Sequence, residues 1–249
     1  MKCGTKVLYP GVWGIGAPRL MTRFGHIARQ VVAAEAKGTS IVLISSGAIR
    51  AGQENFRGTP SIFRLGREEE WAGIGTRYLL KRWGDAFEEL GKEIAYILVS
   101  RADFGSQEKV RAITSSIVDY QRCGVVPIIN ENDVVFDSRH GRSENDYLAI
   151  GIAELIGADM ILFLTEVGGV YEKNPAHHPG ARQYAAIDAR TALTNPWLTG
   201  GMGIKMVGAV WCFARGMRVA IAGAEGNTID KFAGSEPVGT MIGTSVRFY

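Results

Sequence analysis

Two polar clusters stand out for the chemistry they could do. Asn130-Glu-Asn-Asp133 follows directly on the apolar run 125–129, and Ser143-Glu-Asn-Asp146 lies close behind it. Amides and carboxylates at the carboxyl end of a parallel strand sit where open α/β sheets receive their ligands. Taken alone, the first cluster also reads as an Asx turn that caps the next element. Three Lys- or Gly-rich segments add phosphate chemistry. Lys2-Cys-Gly-Thr5 combines a point charge with close backbone approach. Ser45-Ser-Gly-Ala-Ile49 leads from a strand into a helix, where backbone N–H groups and hydroxyls make an anion site or a plain helix cap. Thr199-Gly-Gly-Met-Gly-Ile-Lys205 stands at the head of a helix and reads as a phosphate cradle or as a loop with a solvated lysine. Thr165-Glu-Val-Gly-Gly-Val-Tyr171 is another glycine turn after a strand. None of these is a Walker loop, and each alone is weak. Falling at successive strand ends, they reinforce one another.

These residues need a frame. Apolar runs at 41–44, 94–99, 125–129, 160–164 and 219–222 read as strands. Segments 20–36, 71–90, 110–122, 145–156 and 205–215 carry apolar residues at helical spacing. Such alternation predicts βαβ units and a mostly parallel sheet, and the nearly all-apolar strands predict helices on both faces. Residues 171–200, rich in Pro and turn residues, read as excursions from the sheet.

Composition narrows the class. The 249 residues are 46% hydrophobic and 21% charged, enough for one large domain with a sizeable core. Net charge is +3 with scattered basic residues, so nucleic acid is not expected as a partner. No run reaches the ~18 apolar residues of a membrane span, and no secretory signal is visible, so a cytoplasmic protein is expected. Cys3, Cys123 and Cys212 lack metal or disulfide spacing. The adjacent His177 and His178 do not face one another, so no protein-built metal site is expected.

Together the motifs resemble the amino-acid kinase superfamily, most closely its glutamate 5-kinase branch. The matching strings are Lys2-Cys-Gly-Thr-Lys-Val7, Ile44-Ser-Ser-Gly-Ala-Ile-Arg-Ala-Gly52, Ala72-Gly-Ile-Gly75, Leu98-Val-Ser-Arg-Ala-Asp103, Val126 to Val134, Ser143-Glu-Asn-Asp146, Leu164 to Tyr171, Thr199 to Lys205 and Val238-Gly-Thr240, in the family's order. The resemblance implies a three-layer αβα sandwich around a mostly parallel open sheet. It implies one domain over 1–249, with about 1–150 binding the acid and about 151–249 the nucleotide. It further implies phosphorylation of the γ-carboxylate of L-glutamate by ATP with Mg²⁺ held mainly on the nucleotide phosphates, the first step of proline synthesis, in a homodimer or homotetramer.

Carried over by position, Lys2 and Lys205 would contact the phosphoryl groups, with Asp146 orienting them. Ser46, Gly47, Asp133 and Asn145 would bind glutamate. Thr165 and Glu166 would lie beside the nucleotide, and Thr199, Gly200, Gly201, Met202, Gly203, Ile204 and Lys205 would cover its phosphates. The branch often adds a C-terminal RNA-modification-type domain, and a kinase domain alone is expected here. Ser143 and Glu144 replace the usual Gly-Asp, Glu166 an Asp, Ile204 a Thr and Thr76 a Gln. Only Met1 precedes Lys2, so the first strand is expected to fray and hold Lys2 poorly. A kinase for another acid or phosphate, such as N-acetylglutamate, aspartate or UMP, is the neighbouring reading. A ligand-binding relative without turnover is the reading from a different class.

Overall fold

The computed structural model describes residues 1–10, 17–55, 66–135 and 145–249. In chain order the elements are β1 (Lys2–Cys3), α1 (Thr5–Leu8), α2 (Ala17–Glu35), β2 (Leu43–Ser45), α3 (Ala48–Asn55), α4 (Glu68–Glu88), β3 (Ile94–Val99), α5 (Gln107–Arg122), β4 (Val126–Glu131), α6 (Asn145–Leu155), β5 (Met160–Leu164), β6 (Tyr184–Asp188), α7 (Ala189–Thr194), α8 (Gly200–Ala214), β7 (Arg218–Ala222), α9 (Thr228–Ala233), β8 (Thr240–Gly243) and β9 (Arg247–Phe248). Short 3₁₀ turns at Arg101–Gly105 and Asp133–Val135 follow β3 and β4.

The strands form one sheet in the order β3-β4-β2-β1-β5-β7-β8-β6-β9. All pairs are parallel except β7–β8 and β6–β9. Successive strand residues enter opposite cores, as a pleat requires. Leu162, Leu164, Ala220 and Ala222 join a core with Phe24 and Ile27 of α2, Trp83 of α4 and Phe232 of α9. Ile161, Phe163, Val219 and Ile221 join a second core with Ile117 of α5, Ile152 of α6 and Met206 of α8. The result is a three-layer αβα sandwich around a mostly parallel open sheet.

β1 is the point where the chain's winding reverses. From it the chain moves outward through β2 to β4 and β3, then returns to β5 on the other side. Ligands of open α/β sheets bind beyond the carboxyl ends of strands at such a point.

The expected fraying of β1 is corrected by the fold. Two residues suffice because β1 is central. Lys2 pairs with Ile44 on one side and Phe163 on the other. The Met1 nitrogen donates to the Val42 carbonyl at 2.7 Å, Ile44 N–H to Met1 O at 2.7 Å, and Ser46 N–H to Cys3 O at 3.0 Å. Lys2 is only 6% exposed. Below Met1, at the amino ends of β2 and β5, a small apolar groove runs between α6 and α9, lined by Val42, Ile152, Ile161 and Phe232 among others.

The reading of 171–200 as an excursion holds only in part. Tyr184–Asp188 returns to the sheet as β6, and Ala189–Thr194 is helical. The buried Thr240 hydroxyl secures this return, donating to Tyr184 O at 2.6 Å and accepting from Val170 N–H at 2.9 Å.

Candidate active site

Three elements meet at one carboxylate. Asp146 lies in the first turn of α6 and is buried. Its Oδ1 is 2.8 Å from Lys2 Nζ on β1, and its Oδ2 accepts from Lys205 Nζ on α8 at 2.7 Å. Side-chain exposure is 7% for Lys2, 9% for Asp146 and 15% for Lys205. Burial lowers the Lys2 ammonium below its usual range. Asp146 opposes that shift and the charge of Lys205 adds to it. Two ammonium groups on one carboxylate make a compact cationic centre in a low-dielectric site, where charge acts strongly. Sequence reasoning named this trio, and the fold brings it together.

Beside it opens a cleft of about 390 Å³ lined by Thr5, Ser46, Gly47, Arg50, Asp133 and Asn145 among others. Ser46 and Gly47 form the turn from β2 into α3. Gly47 has φ +115°, a conformation side-chain-bearing residues rarely adopt. A Cβ there would sit 2.8 Å from Tyr9 Cε2. The neighbouring Ser45 is structural, its hydroxyl accepting from Trp83 Nε1 at 2.9 Å. Asn145 opens α6, and its Oδ1 accepts from Glu131 N–H at 3.3 Å, tying α6 to the end of β4. Asp133 is buried in the turn after β4. All four residues expected to bind the acid therefore share one cleft. Ser143 and Glu144, the replaced positions before Asn145, lie outside the described residues. Sequence reasoning assigned no role to Arg50, Thr5, Gln53 or Glu68, which also line the cleft.

The residues expected to meet the nucleotide are more dispersed. Thr165 follows β5, its N–H bonded to Ala222 O at 2.8 Å and its hydroxyl accepting from Val167 N–H at 3.2 Å. Glu166 is exposed and lies 3.9 Å from Lys6 Nζ. Thr199 is the N-cap of α8, and its side chain makes no capping bond. Gly200, Gly201, Met202, Gly203 and Ile204 are the opening turns of α8, which corrects the loop reading of this glycine run. The helix begins five residues before the expected 205 because Lys205 rises from an already formed turn, where its Nζ also donates to Gly201 O at 3.4 Å. The first N–H groups of any helix lack intrahelical partners and favour anions. A separate open cleft of about 400 Å³ at the ends of β5 and β7 is lined by Gly168, Gly223, Glu225 and Gly239 among others, not by Thr165 or Glu166. Thr76 turns back into α4, donating to Ala72 O at 2.8 Å.

Among the described residues no group of three His, Cys, Asp or Glu side chains gathers to hold a metal ion. The His178 ring packs edge-on against Trp197, 5.4 Å between centroids. No helix among the described residues is long and apolar enough to cross a membrane.

The chain has recognisable relatives among known proteins. The chain is 33% identical over 228 residues to a glutamate 5-kinase of Azoarcus sp. (strain BH72), covering 86% of this chain and 60% of that protein. It is 30% identical over 226 residues to that of Caldanaerobacter subterraneus subsp. tengcongensis, covering 87% and 60%. For the glutamate 5-kinase of Herpetosiphon aurantiacus the figures are 31% over 252 residues, covering 97% and 67%. The chain thus spans about 60% of the length of the first of these relatives. Among solved structures it resembles a UMP kinase from Bacillus anthracis, with TM-score 0.67, 15% identity and coverage of 100% and 96%. It also resembles the T. acidophilum isopentenyl phosphate kinase, with TM-score 0.58, 19% identity and coverage of 89% and 91%. At these identities the likeness concerns the fold. Residues 4–223 match the amino acid kinase family, and with that match spanning most of the sheet and the cleft beside Asp146, the chain belongs to the amino acid kinase family.

Proposed function

We propose that this chain transfers the γ-phosphoryl group of ATP to the γ-carboxylate of L-glutamate, giving γ-glutamyl phosphate and ADP. One observation carries the reading: Lys2 and Lys205 converge on the two oxygens of Asp146, at 2.8 and 2.7 Å. Both ammonium groups are thereby close enough to serve one phosphoryl group passing between the acid cleft and the head of α8. A carboxylate is already an anionic nucleophile, so the reaction needs no general base. A carboxylate oxygen bonds to the γ-phosphorus, the bond to the β–γ bridging oxygen breaks, and ADP leaves with that electron pair.

The difficulty is repulsion between two anions and the charge on the transferring group. Preorganised cations meet that need best in a water-poor site. Asp146 holds both lysines in place until phosphate oxygens take them over. Ser46, Gly47, Asp133 and Asn145 bind the acid, Thr199 to Lys205 cover the phosphates, and Thr165 and Glu166 flank the nucleotide. In this reading residues 1–150 serve the acid and 151–249 the nucleotide. Mg²⁺ would be held mainly by the nucleotide phosphates and would supply part of the charge neutralisation there. The choice of glutamate is supported by the names of the relatives and by the Asn130-to-Asp133 string.

The test is ADP release by the purified chain with Mg-ATP, with L-glutamate, N-acetylglutamate, aspartate or UMP as acceptor. Release that depends on glutamate and is lost in Lys205→Ala is expected. Faster release with another acceptor would replace glutamate in this reading, and an unaffected Lys205→Ala would sink the role of the lysine.

A further inference from the structure

We infer that Arg50 is a specificity-determining residue of the acid cleft, the cation that receives the α-carboxylate of a free amino acid substrate. The inference rests on the reading of that cleft as the acid site and adds what distinguishes one acid from another there. The charges lining the cleft are unevenly placed. Arg50 stands on α3 and is the one cation among its described lining residues, while the carboxylates Asp133 and Glu68 come from the turn after β4 and the start of α4. Arg50 on α3 and Asp133 in the turn after β4 offer a zwitterionic head group a partner for each charge: carboxylate toward Arg50, ammonium toward Asp133. They are not complementary to an acid whose amino group is blocked, or to one whose α-carboxylate is an amide.

The guanidinium is held for the task. Its Nε donates to Glu54 Oε1, one helical turn on, at 3.0 Å, which anchors the fork at its root. Arg50 and Glu54 side chains are 18% and 19% exposed, so the pair is sheltered from screening. Arg82 approaches the other Glu54 oxygen at 4.0 Å, so two guanidiniums share that carboxylate. Arg82 also donates to the Tyr9 hydroxyl at 2.6 Å. Burial pushes that phenol up to about 12, so it stays neutral and does not offset the positive charge. A planar guanidinium pairs with a carboxylate through two parallel bonds, a geometry lysine does not reproduce.

The experiment compares two ligands on three proteins. L-Glutamate and its α-amide, which differ only in the α-carboxylate, are titrated calorimetrically into wild type, Arg50→Ala and Arg50→Lys, with thermal melts confirming folding. Wild type is expected to prefer glutamate by about tenfold to a hundredfold, the worth of a charge-assisted pair. Arg50→Ala should bring the ratio to within about threefold, and Arg50→Lys should fall between, because charge without the fork recovers part of the contact. A ratio near one in wild type overturns the inference, and so does a ratio that survives in Arg50→Ala with glutamate still bound. If Arg50→Ala does not fold, the wild-type ratio and its change in Arg50→Lys decide. No glutamate binding to folded wild type would instead overturn the acid-cleft reading itself, and the inference with it.

Discussion

Replacing Asp146 by Asn keeps the shape of the shared side chain and removes its charge, leaving two buried ammonium groups facing each other. Removing one partner of a buried pair costs about 3–5 kcal/mol, and Lys2, at 7% side-chain exposure, bears most of it. Lys205 is less enclosed, at 15%, and can turn outward. Lys2 has another escape. Burial already depresses its pKa, the Lys205 charge depresses it further, and Asp146 is the principal opposing influence. In the variant Lys2 therefore releases its proton more readily. That caps the stability loss but removes the charge that the proposed phosphoryl transfer needs.

Two opposite pH trends follow. A lysine whose folded pKa lies below its unfolded value of 10.5 binds fewer protons folded than unfolded within that window. The variant's stability should then rise from neutral pH toward 10.5 and approach wild type. Its turnover should move the other way, improving as pH falls and Lys2 regains its proton. At pH 7 we expect turnover reduced about 10²- to 10³-fold, the cost of losing one preorganised donor to a developing charge. Urea melts from pH 7 to 10 and a coupled ADP assay on the same samples read both. Turnover within about tenfold of wild type, or a stability gap that does not narrow with pH, would refute the account of Asp146 as the group that keeps Lys2 charged and placed.

Three further outcomes are expected. Native protein should yield one readily labelled thiol, Cys123, because Cys3 and Cys212 are buried and their thiols are pushed up to about 12 and about 11; fast labelling of more than one before denaturant would contradict this. Asp103 is held at about 2, first by the Lys109 ammonium and then by Ser100, against an ordinary 3.8. Its contribution is complete above pH 3.8 and lost as pH falls toward 2. Asp103→Asn should flatten the urea midpoint across that window, and a slope equal to wild type would exclude the contribution. Gly47→Ala should cost about 1–3 kcal/mol, since it forces a side chain into a strained φ and against the Tyr9 ring. An unchanged melt would show that the turn does not need glycine.

Much of this architecture was legible because its signals are long. The edge strand 94–99 and the inner strand 160–164 were read to the residue, as uninterrupted apolar runs permit. β1 was misjudged because local length says little about a strand clamped on both sides, where pairing with Ile44 and Phe163 does the holding. β6 and β8 were missed because Tyr184–Asp188 and Thr240–Gly243 are short and dilute their large apolar residues with Ala, Asp and Gly, so neither forms a sustained run of large apolar residues. The start of α8 was hidden by its glycines, poor helix formers whose place in the first turn is decided by tertiary packing. At the candidate site, side chains tied to recognisable strings are the ones the fold brings together, Lys2, Asp146 and Lys205 at one point and Ser46, Gly47, Asp133 and Asn145 in one cleft. Arg50 was not singled out, since its relevance depends on which way α3 faces, and no single run of residues states that.

The α3–α4 crossing carries a consequence of its own. A Cβ on Gly52 would fall 2.1 Å from the Trp71 carbonyl oxygen, and one on Gly75 only 1.7 Å from that of Ala48. The two helices meet backbone to backbone, with no deformable side chain between them. α3, which bears Arg50 and follows the Ser46–Gly47 turn, is thus braced against a second helix and has little room to slide. A wall so braced loses little conformational freedom when a ligand arrives, so contacts made there are not discounted by ordering. It also leaves selectivity to the chemistry of the side chains mounted on it, so under the proposed function the acid preferred there would change by single substitutions while the main chain stays where it is.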